Sequence, residues 1–267
     1  MDLQVVLPNE DPDLDPGQFA ELARLAESLG YESVWLPDHV LPPGPFGEVY
    51  GGAYEPLVTL AYVAAATERI GLGTSVLILP LREPYVLAKQ VATLSRLSGG
   101  RLVLGVGVGW NAEEFAEVGA DFAARGKRTD ETLDLLDRLS TTGRGPSGGY
   151  FEPRLTARVP ILVGGNSMPA LRRAARTGDA WLGVQLDPAA FAERARTLAG
   201  LAGGRTVRPM TRMEWSGDRA DLDRAVSDYH AYAAAGAAAV AVHFGANTGY
   251  ADRMRTFADA VRLTPAS

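Results

Sequence analysis

The feature that most constrains this chain is a repeated alternation of short apolar strands with amphipathic helices. Leu3 to Leu7 reads as a buried strand. Asp15-Pro16 then supplies an N-cap and a first-turn proline for a helix with apolar positions Phe19, Leu22, Leu25, Ala26 and Leu29, ended by Gly30. Ser33 to Leu36 is the second strand, and Glu55-Pro56 opens the second helix after a long Pro/Gly-rich loop. The pattern continues with strand Ile70 to Leu79, helix Pro84 to Leu97, strand Leu102 to Val106 and helical segments from Asn111 to about Leu139. Strand Pro160 to Val163, helix Met168 to Thr177, strand Ala180 to Gly183 and helix Pro188 to Leu201 follow. A strand near Thr206 to Met213, a helix ending near Ala235, strand Ala237 to His243 and a helix to about Val261 complete the series. About eight strand-helix units are the count of a (β/α)8 TIM barrel, which typically takes about 250 residues. A doubly wound open sheet also alternates, but it has fewer strands and carries its glycine motif on the first turn. Here the glycines follow strand four. With no composition break or linker, one α/β barrel domain over residues 1–267, with loop insertions at its C-terminal face, is the expectation.

Composition narrows the partners. Acidic side chains number 32 against 26 basic ones, a net charge of −6, which argues against a nucleic-acid footprint and for a small-molecule substrate. With no cysteine, thiolate metal sites and cysteine nucleophiles are excluded, and the three histidines, His39, His230 and His243, carry all imidazole chemistry. No metal site is expected. The start, Met1-Asp2-Leu3, lacks the basic and apolar regions of a secretory signal, so a cytoplasmic location is expected. The longest apolar stretch, Ala231 to Val242, is broken by Gly236 and too short for a membrane helix.

In a barrel of this kind the active site lies at the carboxyl ends of the strands. Those positions hold Asp38-His39, Ser75-Val76, Pro80-Leu81-Arg82, the run Gly107 to Asn111, Gly164-Gly165-Asn166-Ser167, and His243-Phe244. His39 falls on the rim as a candidate general base, with a structural role in bonding the long loop as the other reading. His243 has a core or rim role or a catalytic one, and His230 lies in a helix pattern facing solvent. The turn Gly164 to Ser167 has two readings: backbone N–H groups at a helix N-terminus that hold a phosphate, or an ordinary turn with a serine cap. Asn111 and Glu114 have capping-box spacing, so Glu113 and Glu114 are given a structural role. Arg125 to Glu131 reads as charged helix-start surface or interface. Substrate choice is expected to reside in the Leu41 to Tyr54 loop and the Gly143 to Arg158 excursion.

Taken together, these residues resemble the bacterial luciferase-like monooxygenase superfamily. The likeness is carried by YEPLVTLAYVAAATERIGLGTSVLILPLREPYVLAKQVATLSRLSGGRLVLGVGVGWNAEEF from Tyr54 to Phe115. PDHV from Pro37, RGKRTDE from Arg125, and PILVGGNSMPALRRAARTGDAW from Pro160 extend it. The Asp-His pair is similar to that of the F420-dependent branch. That resemblance implies a (β/α)8 barrel with a deazaflavin, F420, or alternatively FMN, at its carboxyl end. It implies that His39 takes a proton while a hydride moves to F420, and that Asp38 contacts the ring. It implies a non-prolyl cis peptide at Ser75-Val76 behind the ring, with Gly107, Gly109, Trp110 and Asn111 lining the ring or its ribityl chain. It assigns the phosphate to Gly164, Gly165, Asn166 and Ser167, and it implies a homodimer. Relatives that oxidise sugar phosphates place a glutamate directly after the last glycine, where this chain has Trp110, an aromatic wall suited to an apolar substrate.

Three functions follow from this reading. The first is an F420-dependent oxidoreductase acting on a small organic, apolar substrate. The second is an FMN-dependent monooxygenase supplied by a partner flavin reductase. The third is a non-catalytic flavin-binding or carrier protein.

Overall fold

A computed structural model of the chain describes residues 1–47, 50–155 and 157–263. The order of elements is β1 (Asp2–Val6), α1 (Gly17–Leu29), β2 (Ser33–Leu36), α2 (Pro56–Ala66), β3 (Gly71–Thr74), β4 (Leu77–Ile78), α3 (Pro84–Leu97), β5 (Leu102–Gly107), α4 (Ala112–Glu117) and α5 (Arg125–Thr142). It continues with β6 (Ile161–Gly164), α6 (Met168–Thr177), β7 (Ala180–Gly183), α7 (Pro188–Ala202), β8 (Arg208–Glu214), α8 (Leu222–Ala234), β9 (Ala239–His243) and α9 (Tyr250–Ala260). All pairings are parallel, in the order β1-β2-β3-β5-β6-β7-β8-β9. The last strand returns to the first, from Asp2 opposite Ala239 to Val6 opposite His243, so the sheet closes into the expected eight-stranded barrel.

Local chemistry sets the helix starts. Glu55, Glu83 and Asp187 each stand before a proline at N1 and accept from the third helical N–H at 2.8, 2.6 and 2.8 Å, from Val58, Val86 and Ala190. Asp15 acts one position earlier than a standard cap, accepting from Gly17 N–H at 3.0 Å, because Pro16 is already in the helical region. The expected continuous third strand, Ile70 to Leu79, is divided instead. β3 stops at Thr74, a cis peptide joins Ser75 to Val76, and β4 resumes beyond it before a 3₁₀ turn at Leu79–Leu81.

Two apolar layers hold the fold together. Strand residues such as Leu3, Val5, Leu36, Leu72, Leu104 and Val106 face outward against the helices. The alternate positions, including Val6, Trp35, Leu162, Leu182, Met210 and Ala241, fill the lumen. No helix among the described residues is long and apolar enough to cross a membrane.

Candidate active site

The loop after β2 brings Asp38 and His39 to the rim, and different partners fix the two side chains. Asp38 turns into the wall. Its carboxylate, with 1% of the side chain exposed, accepts from Arg82 Nη1 and Nη2 at 2.7 and 2.9 Å and from Ile78 N–H at 2.8 Å. Burial opposes the charge of Arg82, yet Asp38 and then Glu55 hold its pKa above the ordinary arginine value. Both Asp38 oxygens are therefore committed to positioning β2 against β4.

His39 has a different arrangement. Its Nδ1 lies 3.0 Å from Glu114 Oε2, and Glu114 Oε1 accepts from Val40 N–H at 2.5 Å and Leu41 N–H at 3.2 Å. Burial alone would raise the Glu114 pKa, but the His39 bond and the two backbone donors hold it below the usual glutamate range. An ionised carboxylate only accepts, so His39 Nδ1 donates to it, and Nε2 is the ring nitrogen left facing away from Glu114. Glu114 was expected only in a capping box. Asn111 does cap α4, its Oδ1 accepting from Glu113 and Glu114 N–H at 3.0 and 3.3 Å, but the Glu114 side chain crosses to the His39 loop instead of reaching back.

An aromatic wall adjoins the imidazole. Tyr50 stacks on Trp110 with 6.1 Å between centroids and an interplanar angle of 12°, and both rings meet His39 edge-on at 5.3 and 6.0 Å. Trp110 is 66% exposed, so this wall faces the mouth of the barrel. The base of the Leu41 to Tyr54 loop is clamped by buried Asn9, whose amide pairs with the Tyr54 backbone at 2.9 and 3.0 Å. That loop reaches the site as expected, with its residues 48 and 49 outside the described residues.

The cis peptide at Ser75-Val76 is present as the resemblance implied. It carries Val76 into space left by two glycines: a Cβ on Gly107 would lie 2.5 Å from Val76 Cγ2, and one on Gly164 would lie 2.8 Å from Val76 Cγ1. A Cβ on Gly109 would meet Phe115 Cε2 at 2.6 Å. The glycines thus serve close packing of the wall around Val76.

At the Gly164 to Ser167 turn, Gly165 N–H donates to Leu182 O at 3.1 Å, and the Asn166 carboxamide spans to Val184 at 2.7 and 3.3 Å. Those groups are committed to β7. The backbone N–H groups of Asn166 and Ser167 have no acceptor among the described residues, and they stand at the start of α6, where the helix dipole favours an anion. The Ser167 hydroxyl lies 3.4 Å from Ala170 N–H as a long cap.

On the opposite wall, His243 Nδ1 accepts from Gly245 N–H at 3.3 Å while Nε2 faces Glu10 at 3.3 Å. Both ring nitrogens are occupied, so His243 has a structural role at the rim, and His230 is exposed on α8. Asp130, within the Arg125 to Glu131 cluster, binds Arg173 at 2.9 Å and Arg176 at 2.7 Å, which ties α5 to α6. The described residues of the Gly143 to Arg158 segment pack against α3. Glu152 and Arg154 carbonyls accept from Lys89 and Arg96 on α3, and Phe151 and Leu155 line a cleft outside the barrel wall. Among the described residues no cluster of three or more potential ligands could hold a metal ion.

A closed parallel barrel with a carboxylate-backed imidazole, an aromatic wall and an anion-ready helix start at its C-terminal rim defines an enzyme-type (β/α)8 site. Residues 1–259 match the model of the family described as luciferase-like monooxygenase, and the chain belongs to that family. Its members are oxidoreductases and monooxygenases, some of them F420-dependent. An uncharacterised protein of Mycobacterium bovis is 36% identical over 64% of this chain and 66% of its own length. F420-dependent glucose-6-phosphate dehydrogenase of Kineococcus radiotolerans is 37% identical over 62% of this chain and 52% of its own. The 4-hydroxyprotoasukamycin monooxygenase of Streptomyces nodosus subsp. asukaensis is 33% identical over 67% and 50%. The alignments thus span half to two thirds of these relatives. Among solved structures, F420-dependent tetrahydromethanopterin reductase from Methanopyrus kandleri superposes with a TM-score of 0.78 at 17% identity, covering 98% of each chain. A monooxygenase from Streptomyces bottropensis does so with 0.77 at 22%, covering 97% of this chain and 98% of that one. These likenesses establish a shared fold.

Proposed function

We propose that the chain is an F420-dependent oxidoreductase acting on a small, largely apolar organic substrate. The observation that carries this reading is the Glu114–His39 pair, which engages Nδ1 and leaves Nε2 without a partner among the described residues, beside an aromatic wall. The residues fit a deazaflavin: Val76 offers an apolar shelf, and Asn166 and Ser167 N–H groups would hold its phosphate. F420 supplies a two-electron hydride acceptor when bound. His39 Nε2 would accept the proton released as the substrate C–H bond gives up its hydride, and Glu114 would stabilise the resulting imidazolium. Tyr50 and Trp110 would exclude water from the apolar side of the substrate.

A second reading, an FMN-dependent monooxygenase, draws on the likeness to the Streptomyces nodosus enzyme. Titrating the protein with F420 and with FMN under identical conditions separates the two. Preferential F420 binding is expected, together with loss of turnover in His39→Ala at unchanged F420 affinity. Preference for FMN, or full turnover in His39→Ala, removes the first reading. A substrate panel with no turnover for any member leaves a carrier role instead.

A further inference from the structure

Three polar atoms are sealed inside the barrel without a partner among the described residues: Gln4 Oε1 on β1, Trp35 Nε1 on β2, and Ser75 Oγ between β3 and β4. Gln4 and Trp35 are 1% and 2% exposed. A buried amide, indole N–H or hydroxyl left unpaired is costly, so such groups are met by protein or by ordered water. Local packing keeps two of them from pairing elsewhere. Gln4 Nε2 donates to Glu32 Oε2, and because a carboxylate only accepts, the amide is fixed with Oε1 as the atom still to be satisfied. A Cβ on Gly73 would lie 2.3 Å from Trp35 Cε3 and Cζ3, so the indole is pressed against the backbone of β3 and has no room to turn toward another acceptor.

A second observation joins the three. Gln4, Trp35 and Ser75 all line one small void, with Leu182, Met210 and Arg212 among the residues that complete its wall. In the sheet register Gln4 of β1 and Arg212 of β8 both stand opposite Ala241 of β9, and Trp35, Leu182, Met210 and Ala241 belong to the packing that fills the lumen. The void is therefore an internal one, within that packing. Its volume is about 10 Å³, the space of one water molecule and too little for an organic group.

We propose that this void is the site of one structural water that bridges Gln4, Trp35 and Ser75. The donor set matches water: it accepts from the Trp35 indole N–H, donates to Gln4 Oε1, and exchanges a hydrogen bond of either sense with the Ser75 hydroxyl. Three partners are the usual number for a buried water. A metal cation is disfavoured by the indole donor and by Arg212 in the wall, and a halide by Gln4 Oε1, which offers only lone pairs. The water ties β1 and β2 to the junction of β3 and β4 and anchors Ser75, the residue before Val76. It does so without any cofactor, so the site stands or falls independently of the F420 reading.

The test is NMR of the cofactor-free protein with nitrogen-labelled tryptophan, reading cross-relaxation between each indole N–H and water. Trp181 and Trp215 are internal controls, because their Nε1–H groups donate to the carbonyls of Gly165 and Asp218 at 2.8 and 3.2 Å. Trp35 should show a contact with a water that stays longer than the molecule takes to tumble, and Trp181 and Trp215 should show none. Ser75→Ala removes one of the three partners and should shorten that residence about tenfold, the equivalent of one hydrogen bond, while unmoved Trp181 and Trp215 signals report an intact fold. A high-resolution crystal structure should place a single oxygen within about 3.2 Å of all three atoms. No water contact at Trp35, or an undiminished one in Ser75→Ala, overturns the three-way bridge. So does a crystal structure in which Ser75 Oγ donates directly to Gln4 Oε1, or an anomalous peak in the void from crystals soaked in bromide, which would assign an anion instead.

Discussion

Replacing Glu114 by glutamine keeps the volume of a buried side chain while changing what it can offer to His39. A carboxamide can still accept from Val40 and Leu41 N–H through its oxygen, but its NH₂ then faces His39 Nδ1 and donates to it. The imidazole must move its proton to Nε2, the atom assigned to proton abstraction. Glu114→Gln is therefore expected to lower kcat by about 10²-fold to 10⁴-fold with a modest change in KM, measured by steady-state kinetics with a substrate that the wild type turns over. Stability carries a matching signature. The folded-state pKa of Glu114 is depressed, so its contribution is fully present above the unfolded value of about 4.3 and is lost as pH falls through the lower folded value. Acid unfolding of Glu114→Gln should lack that component, so the stability gap from wild type should narrow on acidification. An equal gap at neutral and acid pH counts against the assigned ionisation. The sequence could not display this pair, because His39 and Glu114 are 75 positions apart and the spacing from Asn111 suits a local cap equally well.

At the scale of elements, the divided third strand and the glycines opposite it form one device. The cis peptide turns Val76 inward, and β5 and β6 admit it only because Gly107 and Gly164 have no side chain. Gly164→Ala should force overpacking against Val76 and cost about 1–3 kcal/mol by denaturant unfolding. Adding Val76→Ala removes the clashing methyl groups, so the double variant should recover much of that loss, a coupling that a double-mutant cycle reads directly. Strictly additive losses would show that the two sites do not share this space. Strand-helix alternation and helix starts were legible here because proline at N1 and an acidic cap act within four residues. Apolar patterning showed a continuous Ile70 to Leu79 strand because Ser75 and Val76 suit extended structure locally. The resemblance, and not the pattern, located the bend. The glycine run at 105–109 was legible as a site of close approach, but the approaching group proved to be the protein's own wall, with Thr74 O beside Gly105 and Val76 beside Gly107.

For the whole molecule the decisive contact is the one that joins its ends. β1 and β9 pair along their full length, and α9 covers that seam through Phe257 and Met254, both fully buried beside Tyr31 and Phe244. Closure is an all-or-none constraint, because a barrel missing one seam exposes two strand edges at once. Phe257→Ala should cost about 3–5 kcal/mol as a cavity in this layer, measured by denaturant unfolding. Its effect should not stay local to α9. Hydrogen exchange should quicken together at Leu3 to Val6 and at Val240 to Val242, although these segments are separated by most of the sequence, because opening the seam frees both strands in a single event. The rim residues depend on the same closure: Glu10 follows β1, His243 ends β9, and Arg212 lies on the strand beside it. The rim at Glu10 and His243 should therefore loosen at temperatures below global unfolding, while the Glu114–His39 side, anchored on β2 and α4, keeps its geometry longer. If exchange rises only within α9, the seam is held by the strands alone and the helix serves merely as a cover.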